Sequence, residues 1–97
     1  MPPFVYMLRC KDGSYYVGST RTSLERRVVE HNEGRYPGYT KSRRPVELVW
    51  WQEFQQITDA IAAERRIKGW SRAKKEALAM RRYDLVSLFA RRKPKEG

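Results

Sequence analysis

Residues 4–20 read Phe4-Val5-Tyr6-Met7-Leu8-Arg9-Cys10, then Lys11-Asp12-Gly13, then Ser14-Tyr15-Tyr16-Val17-Gly18-Ser19-Thr20. Two runs rich in β-branched and aromatic residues flank a short turn signal, which predicts a β-hairpin. Loop length then decides which side chains share a face. A two-residue Asp12-Gly13 loop pairs Cys10 with Tyr15 and sends Tyr6 and Tyr16 to opposite faces, because side chains alternate along a strand. A three-residue Lys11-Asp12-Gly13 loop, with Gly13 in the left-handed region, instead pairs Cys10 with Ser14, Leu8 with Tyr16 and Tyr6 with Gly18. Both tyrosines then lie on one face, with a bare glycine opposite Tyr6. The turn residues permit either register.

Beyond the hairpin, Thr22-Ser23-Leu24-Glu25 has the spacing of a capping box, with Thr22 as the cap. It predicts a helix to about Glu33, stopped by Gly34. Leu24, Arg27, Val28 and His31 fall at three- and four-residue steps on it, so two basic residues share a stripe with two apolar ones. Gly34 to Pro45 reads as a loop in which Arg35, Lys41, Arg43 and Arg44 surround Tyr36 and Tyr39. Val46 to Phe54, rich in Val and Trp, predicts a third strand.

Thr58 is the expected cap of a second helix to about Lys68, stopped by Gly69. Its inward stripe would be Ile57, Ala60 or Ile61, Glu64 and Ile67. A third helix is expected after Ser71, with Ala73, Ala77 and Met80 inward and Arg72, Lys74, Lys75 and Arg81 outward. A short fourth, capped by Asp84, would use Leu85, Leu88 and Phe89. The fold class is therefore α+β, with one domain over residues 1–90 and a basic, disordered tail over 91–97.

At 97 residues and 40% hydrophobic content there is material for one modest core. The formal charge of +10, from 21 Lys plus Arg against 11 Asp plus Glu, implies a polyanionic partner, with a merely soluble basic protein as the alternative. Cys10 is the single cysteine, so no internal disulfide forms and a cytoplasmic location is expected. No stretch approaches the roughly 20 apolar residues that span a bilayer, and the first residues lack a leader pattern. The expectation is no membrane partner and no nucleotide cofactor, since no Gly-rich phosphate loop is present. Cysteine and histidine spacing does not suit zinc.

Several polar residues occupy positions where apolar ones would stabilise better. Glu64, on a buried stripe, needs a compensating cation. A divalent metal is one, because magnesium takes one or two protein carboxylates and fills its shell with waters and substrate phosphate oxygens. An ion pair with Arg65 or Lys68 is the alternative. Arg27 and His31, one turn apart, make a cationic pair able to grip a nonbridging phosphate oxygen and relay a proton, and Tyr6 and Tyr16 are either core aromatics or phenols beside a reacting water.

The order Phe4-Val5-Tyr6, nine residues, Tyr16-Val17-Gly18, then Leu24-x-x-Arg27-Val28-x-x-His31, then Ala60-x-x-x-Glu64-x-x-Ile67-Lys68-Gly69-Trp70 resembles the GIY-YIG nuclease pattern across nearly the whole chain. The small stand-alone bacterial branch is the nearest in kind, and the incision domain of bacterial excision-repair nucleases is also similar. The resemblance implies a small mixed or antiparallel sheet of three strands flanked by three to four helices, with both motif tyrosines beside the site, which selects the three-residue turn.

It also implies a divalent-metal-dependent endonuclease that hydrolyses nucleic-acid phosphodiesters with low sequence specificity in repair or processing, DNA ranking ahead of RNA. Its roles would be Glu64 as the sole protein ligand of Mg²⁺ or Mn²⁺, Arg27 on the pentacovalent phosphate, Tyr6 on the attacking water, and Tyr16 and His31 orienting that water or sharing its proton. Arg35, Lys41, Arg43, Arg44, Arg72, Lys74 and Lys75 are the expected nucleic-acid contacts, with Tyr36 or Tyr39 stacking on an unpaired base. Phe4 replaces the motif glycine, Ser19 stands where some relatives have Lys, and no Asn follows Glu64. A non-cleaving nucleic-acid-binding module is therefore the alternative function, and an adaptor for an acidic protein is a third.

Overall fold

A computed structural model describes residues 1–91, with backbone alone for 89–91. The expected disordered tail lies outside the described residues, except that Arg91 closes the last helix, and the inward placement expected for Phe89 also falls outside the described side chains. The order is β1 (Phe4–Cys10), β2 (Tyr15–Thr20), α1 (Leu24–Asn32), a 3-10 turn (Lys41–Arg43), β3 (Val46–Glu53), α2 (Ile57–Lys68), α3 (Arg72–Ala79) and α4 (Tyr83–Arg91). The three strands form one antiparallel sheet in the order β2-β1-β3. Among the described residues no helix is long and apolar enough to cross a membrane.

The hairpin adopts the three-residue loop. Gly13 has φ of 86° and donates its N–H to Cys10 O at 2.9 Å, and Cys10 N donates to Ser14 O at 2.8 Å. The Asp12 carboxylate accepts from both Ser14 N (3.0 Å) and Ser14 Oγ (2.6 Å), which fixes the turn. Leu8 then faces Tyr16, and Tyr6 faces Gly18.

Alternation along β1 and β2 divides the interior in two. Val5, Met7 and Val17 point to α2 and α3, where Trp50, Ala60, Ala63, Ile67 and Leu78 complete a core. Tyr6, Leu8 and Cys10 point the other way, toward Leu24 and Val28 of α1, with Val46 and Leu48. Trp50 has the same parity as Val46 and Leu48 yet joins the opposite core. A bulge explains this, because Met7 pairs with Trp50 while its neighbour Leu8 pairs with Leu48, leaving Val49 as an extra residue. Val49 also packs on the Trp50 side, so one strand serves both layers.

Helix starts or phases differ from the sequence reading in all four helices. The cap of α1 is Ser23, whose Oγ accepts from Arg26 N, because Thr22 is held back by Thr20 Oγ1 through its N–H (3.0 Å) and its hydroxyl (2.9 Å). Helix α2 starts at Ile57 after an uncapped Gln56, with Ile57 packed on the core and Thr58 exposed inside the first turn. Helix α3 is capped by Ser71 as expected, but its inward residues are Ala77 and Leu78. Ala73 is exposed and Met80 is 61% exposed, since the helix stops at Ala79 and the chain turns through Arg81 at φ 58°. The shifted phase leaves Lys74 and Lys75 half-buried rather than outward. Helix α4 already begins at Tyr83, so Asp84 lies inside its first turn rather than capping it, and Val86 packs on the core while Leu88 is exposed.

Asn32, at the end of α1, joins the helix to β3. Its Oδ1 accepts from Val46 N at 2.7 Å and its Nδ2 donates to Val46 O at 3.1 Å. Replacing it with Leu strands two partly buried backbone groups, each worth roughly 1–3 kcal/mol when unpaired. The urea midpoint of Asn32→Leu is expected to fall by an amount equivalent to about 2 kcal/mol; an unchanged midpoint would mean that water replaces the amide at no cost.

Candidate active site

Strand β2 is an edge strand, with α1 over one face of the sheet and α2 over the other. Side chains from both layers therefore meet at its edge. From the α1 side, Tyr6 Oη lies 3.1 Å from His31 Nε2, and His31 Nδ1 lies 2.8 Å from Thr40 Oγ1. All three residues are buried. The Tyr16 ring lies 6.4 Å from that of Tyr6 and 5.2 Å from the imidazole, so the three rings cluster, with Tyr6 and Tyr16 against Gly18. A Cβ on Gly18 would sit 2.7 Å from Tyr6 Oη and 3.1 Å from Tyr16 Cε2. The glycine is therefore a spatial requirement of the Tyr6 ring lying across it.

Arg27 is anchored at its base: Nε donates to Thr20 Oγ1 at 3.0 Å, and Nη1 is 3.6 Å from Glu30. The guanidinium carries five N–H donors, so several remain for an anion. Glu30 also accepts from the Tyr36 hydroxyl at 2.7 Å and pairs with Arg26, which keeps it in place beside Arg27.

On the α2 side, the Glu64 side chain is 17% exposed. Its Oε1 accepts from Ser19 Oγ at 2.6 Å, and its Oε2 meets Lys68 Nζ at 2.9 Å. Lys68 is also 5.8 Å from the Tyr16 ring. Glu64 adds to the forces that hold the Tyr6 phenol protonated. Burial is the largest of these, Tyr16, Glu64 and Glu30 reinforce it, Arg27 opposes it, and the net result lies well above the usual phenol range. For His31 burial and then Arg27 lower the imidazole below its ordinary 6.5, with Glu30 opposing, so it is neutral at neutral pH. Lys68 is raised by its hydrogen bond to Glu64.

A metal fits this donor set only as an open site. Among the described residues no group of three or more His, Cys, Asp or Glu side chains could hold an ion. A closed protein cage is thereby absent, while one carboxylate with waters and phosphate oxygens is an ordinary magnesium shell. Glu64 already holds a cation at Oε2, the Lys68 ammonium, which sits on a flexible, half-exposed stem. A divalent ion would take that position by displacing it.

The five expected catalytic residues, Tyr6, Tyr16, Arg27, His31 and Glu64, are thus gathered at one edge. The expected nucleic-acid contacts are more scattered. Arg35 pairs with Glu33 at 2.8 Å. Arg44 donates to Lys41 O and Asn32 O, and Lys41 and Arg44 line a groove with Asn32, Ser42 and Pro45. Arg43 binds Asp12 at 3.1 Å, and its guanidinium lies 3.9 Å from the Tyr39 ring centre. Lys74 lies over Trp70 at 3.9 Å, whereas Arg72 and Lys75 share a groove with Ser14, Tyr15 and Tyr39. Of the two candidate stacking residues, Tyr36 is half-buried at 4.5 Å from His31, and Tyr39 is 40% exposed.

Sequence reasoning missed Thr20 and Thr40, whose hydroxyls orient Arg27 and His31. No periodicity marks Thr40, which lies in a loop; Thr20 showed only as a polar residue ending a strand. Ser19, noted as the loss of a lysine, is the hydrogen-bond donor that aims Glu64. Asn32 ties α1 to β3 and so does not stand in for the missing downstream asparagine.

A family model described as the GIY-YIG catalytic domain matches residues 2–77. A UPF0213 protein of Halobacterium salinarum is 49% identical over 74 residues, covering 76% of this chain and 95% of that protein. The solution NMR structure of a UPF0213 protein from Bacillus halodurans aligns with a TM-score of 0.52 at 41% identity, over 82% of this chain and 84% of that one. A second solution NMR structure, of a protein from E. faecalis, aligns with a TM-score of 0.56 at 30% identity, covering 100% of this chain and 95% of that one.

Proposed function

The chain belongs to the GIY-YIG catalytic-domain family, and on that premise we propose that it is a metal-dependent endonuclease that hydrolyses DNA phosphodiesters with low sequence specificity. The observation that carries the reading is the buried Thr40–His31–Tyr6 hydrogen-bonded line ending beside an anchored Arg27 and a solvent-reaching Glu64. A protein needing only to bind phosphate has no use for a neutral imidazole behind a buried phenol. Cations alone would serve it.

Arg27 places its free N–H donors on a nonbridging oxygen of the scissile phosphate, where negative charge grows as the phosphorus becomes five-coordinate. Its bonds to Thr20 and Glu30 set that orientation before substrate arrives. Tyr6 takes a proton from the attacking water while passing its own phenolic proton to His31 Nε2. Burial makes a free Tyr6 phenolate costly, so this coupled transfer is the accessible route. Thr40 accepts from His31 Nδ1–H, which leaves Nε2 as the acceptor. Tyr16 closes the wall beside the water. The leaving oxygen takes its proton from solvent. A Mg²⁺ or Mn²⁺ ion held by Glu64, waters and phosphate oxygens would supply Lewis-acid stabilisation of the phosphate charge. Repair or processing is the setting proposed for such an activity.

The relay has a pH consequence. His31 works only when neutral, and its affinity for the proton is lowered, so the rate falls as acid protonates it and is level through neutrality. With labelled DNA and saturating Mg²⁺, cleavage is expected to decline on an acidic limb with its midpoint below 6.5. His31→Gln keeps a hydrogen-bonding side chain but accepts no proton. It is expected to cut roughly 10²-fold more slowly and to lack that limb; an unchanged limb would assign it to another group.

A further inference from the structure

A groove of about 160 Å³ opens between the hairpin and α3, lined by Ser14, Tyr15, Tyr39, Arg72 and Lys75. It is continuous with the candidate active site, since Tyr39 stacks on Tyr16 at 6.2 Å with planes 28° apart, and Tyr16 borders Tyr6, His31 and Lys68. The cations around it divide into two kinds. Lys68 is held by Glu64 and Arg43 by Asp12. Arg72 and Lys75 make no ion pair with any carboxylate among the described residues.

These two are nevertheless confined. Arg72 Nη2 lies 3.2 Å from where a Cβ on Gly13 would be, so its guanidinium rests on the hairpin turn. Lys75 is half-buried by the shifted phase of α3, and burial together with the nearby Lys68 charge lowers its basicity. The Lys75 charge, disfavoured by burial and by Lys68, would be relieved by an arriving anion, and Arg72 stands beside it in the same groove. Beside them, the Tyr39 ring and the Arg43 guanidinium form a layer 3.9 Å apart, with Tyr39 40% exposed. Aromatic and guanidinium planes are surfaces on which unpaired bases stack.

Building on the nuclease reading, we propose that this groove is a subsite for one unpaired nucleotide adjoining the scissile phosphate, with Arg72 and Lys75 on its phosphate and the Tyr39–Arg43 layer against its base. The groove accommodates a single nucleoside-sized group between a turn and a helix, and a double helix does not enter it. The substrate class implied is nucleic acid with an unpaired nucleotide at or next to the cleaved bond. Of the seven cations expected to bind nucleic acid, Arg72 and Lys75 are the two placed on that nucleotide's phosphate, and Arg43 is placed against its base.

The test is fluorescence anisotropy of the full chain with a labelled single-stranded DNA oligomer and a blunt duplex, in EDTA so that no cleavage intervenes. Wild type is expected to bind the single strand about tenfold more tightly. Arg72→Gln with Lys75→Gln should weaken single-strand binding by about tenfold or more. The slope of log affinity against log salt should also become shallower by about 0.7, from the one phosphate that the two side chains neutralise together. Arg72→Lys with Lys75→Arg should restore the slope. Tyr39→Ala should reduce the single-strand preference and leave the salt slope alone. Circular dichroism melting confirms that each variant is folded. Equal losses on single strand and duplex, or no response to Tyr39→Ala while wild type binds normally, would overturn the subsite and leave the nuclease reading standing. No binding by wild type at low salt would remove both.

Discussion

Glu64→Gln is expected to lower metal-dependent cleavage by roughly 10³-fold, because the ion contributes several kcal/mol of charge stabilisation and each 1.36 kcal/mol is a factor of ten. The substitution is nearly isosteric, and the amide oxygen still accepts from Ser19 Oγ, so the fold should survive. Two measurable quantities change with the charge. Metal affinity falls, readable by titrating Mn²⁺ into the protein without DNA, and Lys68 loses its partner. Lys68 now occupies Oε2, so the metal must displace it, and Lys68→Met should bind Mn²⁺ more tightly than wild type. A Glu64→Gln protein that cut DNA at the wild-type rate would end the metal assignment.

Gly18→Ala is expected to damage both activity and stability through one added methyl group. Its Cβ would lie 2.7 Å from Tyr6 Oη and 2.8 Å from Tyr6 Cζ, inside any real contact distance. The Tyr6 ring is buried and tied to His31, so it cannot swing away without breaking that bond. Overpacking of this kind costs about 1–3 kcal/mol, to be read from urea unfolding. Losing the Tyr6–His31 alignment should slow cleavage by roughly 10²-fold, the scale of general acid–base catalysis. Wild-type values for both would show that the tyrosine has room the structure does not display.

The hairpin, the third strand and the existence of four helices were legible because each carries a local signal: alternation, capping residues, glycine stops. The choice between two registers was not local. It depended on which faces two tyrosines must share, and the family pattern supplied that. Helix phases were read less well. The residues buried on α3 are set by where Arg81 turns the chain, which periodicity over Arg72 to Met80 does not contain. The two-layer use of β3 was invisible for the same reason, since a bulge at Val49 reverses alternation without changing composition. The groups that carry chemistry in the proposal stood out as polar residues on apolar stripes. Their supports did not, because Thr20, Thr40 and Ser19 act through single hydrogen bonds across 7, 9 and 45 residues of sequence.

Of three departures from the family pattern, two have physical counterparts in the structure and one does not. Phe4 only continues β1, where it pairs with Thr20 and Glu53. Ser19 removes a lysine from the edge but turns a hydroxyl to Glu64. The asparagine absent after Glu64 has no substitute at Asn32, which is engaged at both ends by Val46. The proposal therefore places the phosphate under Arg27 and the unpaired-nucleotide groove.

The most direct measurement is cleavage of labelled single-stranded, branched and duplex DNA by the wild-type chain, in Mg²⁺ or Mn²⁺ and then in EDTA, with binding followed in the same samples. Cutting that requires the metal, while binding persists in EDTA, is the predicted result. Tight, salt-sensitive binding with no cutting in either metal would contradict it and assign the fold to a nucleic-acid-binding module.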